Sequence, residues 1–208
     1  MLQLILFWFK TKAAKAAREV LSTDFSKDEI ESILKGYWSG YKALRGDIAK
    51  QPTIGGTVMV HLAGMSTAFY NELTKREISA TQTTQYFYDI AWKVYKIMGR
   101  FSWNLTRLKY RKKSKRLAYA TELFRSFPFN HPSYKWENIP QFDNTVRFGC
   151  KKCPVAEYFE TQGLSKFCVN TWCALDFPLA KIWNAKLERT NSIAGGAKAC
   201  DFKWIPND

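Results

Sequence analysis

The chain has 208 residues, of which 46% are apolar, 16% aromatic and 24% charged, with only 11 Gly and 7 Pro. That composition excludes disorder over most of the length and excludes collagen-like or low-complexity architectures. Lys and Arg number 32 against 18 Asp and Glu, a net charge of +14 that favours anionic partners and is silent on fold.

The first nine residues, Met1 to Phe9, are almost wholly apolar. No basic residue precedes them and no small-residue cleavage site follows, so they are not read as a secretory signal. They also fall far short of the roughly 20 residues needed to span a bilayer. Lys10, Lys12, Lys15 and Arg18 come next. Residues 1–18 are therefore read as a helix packed on the core, or as a contact to a partner or a membrane surface. Residues 1–35 are expected to be a helical extension, and 36–208 a single domain.

Ser26-Lys27-Asp28-Glu29 is a capping box that opens a helix towards Leu34. A second helix is predicted over Gly36 to Lys50, with Tyr37, Tyr41, Leu44 and Ile48 on one face, ended by Pro52 and Gly55-Gly56. Further helices are predicted from Val58 to Leu73 and from Thr84 to Met98. In the latter, Phe87, Ile90, Ala91, Val94, Ile97 and Met98 form a stripe.

The pattern changes near Phe127. Pro128, Pro132 and Pro140 punctuate an aromatic-rich loop, after which Phe142, Asn144, Val146 and Phe148 alternate as in a strand. A short helix is expected from Pro154 to about Gly163, and a hairpin from Lys186 to Ala194 and Ala197 to Ile205 around Gly195-Gly196. The expected class is α+β, a helical N-terminal two-thirds packed on a C-terminal antiparallel sheet.

A two-residue turn at the glycines fixes a register. Glu188 then lies opposite Lys203, a favourable charge pair. Arg189, Asn191 and Cys200 share a face with Leu187, Ile193, Phe202 and Trp204. Polar groups on an apolar face need partners, and a ligand carboxylate or a buried acid such as Asp176 would serve Arg189.

Arg107 to Arg116 (RLKYRKKSKR) carries seven basic residues in ten. With no nucleic-acid-binding motif beside it, the run is read as a solvated helix face rather than a nucleic-acid contact. The odd number of cysteines, five, points to free thiols and a cytoplasmic protein rather than a disulfide scaffold. Cys150-x2-Cys153 and Cys168-x4-Cys173 have spacing that a four-thiolate zinc site could use, but no Gly-rich knuckle surrounds either pair, and no metal or cofactor is assigned. Pro154 suits the first turn of a helix, which makes Cys153 its N-cap. Unsatisfied N–H groups and the helix dipole there favour a thiolate. Cys173 and Asp176 share a helical face at i, i+3, and Pro178 must kink that helix or restart it. A Cys–His pair would need His61 or His131, and both are read as structural.

The order of Pro52-Thr53-Ile54-Gly55-Gly56, Val146-Arg147, Cys153-Pro154-Val155-Ala156-Glu157-Tyr158-Phe159, Cys173-Ala174-Leu175-Asp176-Phe177, Glu188-Arg189-Thr190 and Cys200-Asp201-Phe202 resembles the L-2-amino-thiazoline-4-carboxylic acid hydrolase family. The resemblance covers about Tyr37 to Trp204. It implies opening of a small carboxylate-bearing ring that contains a C–N bond, by thiolate or activated water. Cys153, Cys173 and Cys200 are the candidate thiols and Asp176 and Asp201 the candidate bases. Arg189, with Asn191 beside it, would grip the substrate carboxylate, and Arg147 is the alternative clamp. Cys150, Cys168, Pro178 and the basic run depart from the family pattern. Two other readings compete: a ligand or metal sensor built on the cysteines, and a basic nucleic-acid or membrane-surface module.

Overall fold

A computed structural model describes residues 1–140 and 144–207 of the chain. Helices come first and an antiparallel sheet last, which is the α+β order expected from the change of periodicity. Helix α1 (Leu2–Leu21) takes in the apolar run and the basic stretch behind it. It packs on α4 (Ala80–Lys109) and buries Leu6, Ala16, Ala17 and Leu21. On its other side Leu4 and Phe7 remain 75% and 67% exposed.

Helix α2 (Lys27–Leu44) opens on the complete capping box. The Glu29 N–H donates to Ser26 Oγ at 3.4 Å, and the Ser26 N–H to the Glu29 carboxylate at 2.8 Å. The expected break at Gly36 is absent. Gly36 sits inside the helix because Glu72 of α3 (Ile54–Lys75) occupies the place of its missing Cβ. One helix therefore replaces the predicted two, and it stops at Leu44, short of Lys50.

Gly55-Gly56 begins α3 rather than ending α2. Thr53 is the N-cap, with Oγ1 accepting the Gly56 N–H at 3.0 Å and lying 2.8 Å from Ser133 Oγ. The two glycines admit the Pro128 carbonyl and the Ser133 side chain to the helix backbone. Helix α4 runs far beyond Met98. The polar residues that end the apolar stripe bond to its own carbonyls, as in Ser102 to Gly99 (2.9 Å) and Thr106 to Trp103 (2.6 Å). The basic run is not one helix face. It spans the end of α4, a turn, and the start of α5 (Lys113–Ser126). Arg116 lies 3.8 Å over the Trp103 ring and donates to the Trp103 carbonyl at 3.0 Å.

The sheet has the order β1-β2-β4-β3, all antiparallel, from β1 (Lys135–Asn138), β2 (Val146–Lys152), β3 (Ala185–Glu188) and β4 (Cys200–Pro206). Strand β1 falls in the stretch expected to be loop, and Trp136 holds it between Tyr134 and Phe148. Phe142 lies outside the described residues, while Val146, Phe148 and Cys150 bury one face of β2. Helix α6 (Pro154–Thr161) starts after Cys153 and is followed by Gly163 at φ 67°. Next come α7 (Ser165–Cys168), a π-helical turn (Val169–Cys173) and α8 (Asp176–Ile182). Pro178 restarts the helix rather than kinking it. It is the third residue of α8, where an N–H has no intrahelical acceptor to lose.

Glu188 pairs with Lys203 and Leu187 with Trp204, the register expected. The tight turn is not formed. Beyond Glu188 the chain leaves the sheet, and β4 continues to Cys200 paired with β2 alone. The intervening loop holds a 3-10 turn at Ile193–Gly195, with Gly196 left-handed at φ 90°. Trp183, wholly buried at the end of α8, donates Nε1–H to the Gly99 carbonyl and Ser102 Oγ, both at 3.1 Å, and so ties α8 to α4. Among the described residues no helix is long and apolar enough to cross a membrane.

Candidate active site

Helices α3 and α4 and one face of β2 and β4 enclose a cavity of about 240 Å³. All five cysteines line it, together with Tyr95, Asp176 and Arg189. The remaining wall is mostly aliphatic and aromatic, so charges within it are poorly solvated and their direct partners decide their state.

The thiols fall into two pairs and a single. Cys150 and Cys200 are directly opposite each other across β2 and β4, with their sulfurs in hydrogen-bond contact. Cys150 Sγ also lies 3.1 Å from the Lys152 carbonyl, and the Ile193 N–H donates to Cys200 Sγ at 3.3 Å. The Cys150 thiol, the Ile193 N–H and the Arg189 charge all favour a negative Cys200 sulfur and bring its pKa down to about 7, against the cost of burial. Its neighbour Cys150 is pushed the other way and keeps its proton. Cys168 hydrogen-bonds to Cys173 and is likewise driven up. The four-thiolate grouping that the spacing permits is not assembled. Among the described residues no three His, Cys, Asp or Glu side chains are placed to hold a metal.

Cys153 occupies the N-cap of α6, with Pro154 at the first helical position, as expected. The expected thiolate does not follow. Burial raises the Cys153 thiol, and the N–H groups of Ala156 and Val155 only partly offset it. Desolvation outweighs the helix terminus here because the sulfur points into an apolar cavity rather than into water.

Arg189 has partners within the protein. Its Nη1 donates to Asp176 Oδ2 at 2.7 Å and its Nη2 to the Cys173 carbonyl at 2.8 Å. Phe177 and Phe202 flank the guanidinium at 5.1 and 5.4 Å. Burial raises the Asp176 carboxyl above its ordinary value, and Arg189 and the Tyr95 hydroxyl pull it back. Tyr95 was not among the sequence candidates. The signal was a hydroxyl in helical register with Ala91 and Met98 on an otherwise apolar stripe.

Three sequence candidates stand outside the cavity. Asp201 accepts the N–H groups of Thr190 (3.0 Å) and Asn191 (2.6 Å), and the Asn191 amide donates back to it at 3.2 Å. This pair pins the loop after β3, which is why Asn191 turns away from Cys200. Arg147 is half-buried on β2 opposite Lys203. Neither histidine lines the cavity, and His61 Nδ1 instead lies 2.9 Å from the Tyr41 hydroxyl.

An α+β domain with a cysteine-lined apolar cavity beside a buried Arg–Asp pair is thus the class that the fold and site define. Residues 59–204 match the family model for L-2-amino-thiazoline-4-carboxylic acid hydrolase, and the chain belongs to that family. The matched span contains every cysteine and both members of the buried pair. No curated protein matches the chain. Among solved structures, an Fe(II) unliganded H-NOX protein from K. algicida aligns at a TM-score of 0.43 and 9% identity, over 94% of this chain and 95% of that one. A likeness at that level carries no argument about function.

Proposed function

We propose that the protein is a hydrolase that opens a small cyclic amidine, with Cys200 as the nucleophile. The observation that carries this reading is the place of Cys200 in the cavity of the span matching the hydrolase family, where its sulfur accepts the Ile193 N–H and lies opposite Cys150, an arrangement that favours a thiolate. The Cys200 thiolate adds to the ring carbon that lies between nitrogen and sulfur, and the C–S bond to that carbon breaks. The departing sulfur takes a proton from water. Water then displaces Cys200, giving the opened carbamoyl product and restoring the thiol. Cys153 and Cys173 shape the cavity wall, and Asp176 holds Arg189 so that its charge faces Cys200.

Turnover of aminothiazoline carboxylate and related cyclic amidines tests the assignment. Cys200→Ser should abolish it and Cys153→Ser should leave it within a few-fold. Full activity in Cys200→Ser would remove the thiolate route.

A second reading concerns residues 1–18, which lie outside the matched span. Leu4 and Phe7 stand in the open on α1 with Lys10, Lys12 and Lys15 close behind, the arrangement of a helix that rests on an anionic membrane surface. Co-sedimentation with phosphatidylserine vesicles, lost in Leu4→Ser/Phe7→Ser, tests it.

A further inference from the structure

Three hydrogen-bond donors along the cavity find no partner among the described residues. The indole Nε1–H of Trp204, the hydroxyl of Tyr134 and the Nε–H of Arg125 are shut off from solvent and have no hydrogen-bond partner among the described residues. All three residues line the cavity, and Trp204 and Tyr134 are 3% and 2% exposed. Orphaned buried donors are rare and costly, so a cavity that holds three is built for a ligand with acceptor atoms.

Arg125 sets the charge of that ligand. Its guanidinium lies 4.6 Å over the Phe148 ring, and Nη1 donates to the neutral Asn138 amide at 2.7 Å. Among the described residues no carboxylate forms an ion pair with it, and Glu122 on the same helix stays beyond that distance. The other lining cation, Arg189, is paired with Asp176 and the Cys173 carbonyl. Arg125 is thus the cavity's cation without an acid. Met65, Val94, Met98, Phe129 and Phe202 also line the cavity and offer apolar surface to the rest of a ligand.

We propose that the cavity binds an apolar carboxylic acid, its carboxylate held by the Arg125 guanidinium and its remaining acceptors served by Tyr134 and Trp204. A bare aminothiazoline acid would leave most of the aromatic wall facing nothing. The natural ligand therefore carries an aliphatic or aromatic body. Where this names the substrate class it rests on the hydrolase reading, and as a binding site it stands apart from that chemistry.

Binding of 2-naphthoate and its neutral isostere 2-naphthamide, followed by calorimetry and tryptophan fluorescence in wild-type and Cys200→Ser protein, tests the site. The acid should bind about 10-fold or more tightly than the amide in both proteins. In Arg125→Gln the ratio should fall to about 1 with amide binding unchanged, and Tyr134→Phe should weaken the acid a few-fold. Should Arg125→Gln fail to fold, Arg125→Met keeps the stem over Phe148 and must meet the same requirement. Equal binding of acid and amide, binding of neither, or an acid preference that survives loss of the guanidinium overturns the proposal. An acid preference in a wild-type protein that turns over no cyclic amidine supports this site and counts against the hydrolase. Turnover lost in Cys200→Ser with no acid preference does the reverse.

Discussion

Arg189 Nη1 lies 2.7 Å from Asp176 Oδ2, with the two side chains only 7% and 20% exposed. Removing one member of such a pair strands a charge in a weakly polar environment. Arg189→Ala should therefore destabilise the protein by about 3–5 kcal/mol in urea unfolding. Arg189→Lys should cost less, because it keeps the charge but cannot serve Asp176 and the Cys173 carbonyl with one planar fork. A double replacement by apolar residues of similar volume should cost less than the sum of the single ones.

Cys200 should titrate well below Cys150 and Cys153. The Cys150 thiol, the Ile193 N–H and the Arg189 charge bring the Cys200 pKa down to about 7, so thiolate absorbance at 240 nm should rise through that pH and the step should vanish in Cys200→Ser. Cys150→Ala removes the strongest support for the thiolate, and the step should move to higher pH. If Cys200 is the nucleophile, turnover should fall as the pH drops below about 7, where its sulfur is protonated.

At the start of α3 the chain has no room for a methyl group. A Cβ on Gly55 would run into the Pro128 carbonyl, which is backbone and cannot swing aside. Gly55→Ala should cost about 1–3 kcal/mol. Thr53→Ala, which removes the N-cap and its contact with Ser133, should cost about 1 kcal/mol. Thermal unfolding of each variant gives both values.

Glu188 and Lys203 make the opposite case. Their side chains are 40% and 34% exposed and lie 2.9 Å apart. Glu188→Gln should change stability by less than about 1 kcal/mol, because water competes for both charges. The pair identifies the register without contributing much to holding it.

Features that depend on a few neighbouring residues were legible in the sequence. The capping box at Ser26, the helix start at Pro154 and the Glu188–Lys203 register all appear where they were expected. The role of a glycine was not legible where a distant segment explains it. Gly36 gives way to Glu72, and Gly55 to the Pro128 carbonyl, and neither contact leaves a local trace.

The same division holds at the site. Sequence alone determined an α+β chain with the cysteines concentrated in its C-terminal part and an Arg189 that required a partner. Only the tertiary structure decided that Asp176 pairs with Arg189, and that Cys200 rather than Cys153 carries the lowered pKa. The reason is electrostatic. A helix N-terminus or a basic residue can be seen in sequence, but burial reverses its effect on a buried thiol, and burial is set by the packing of α3, α4 and the sheet around one cavity.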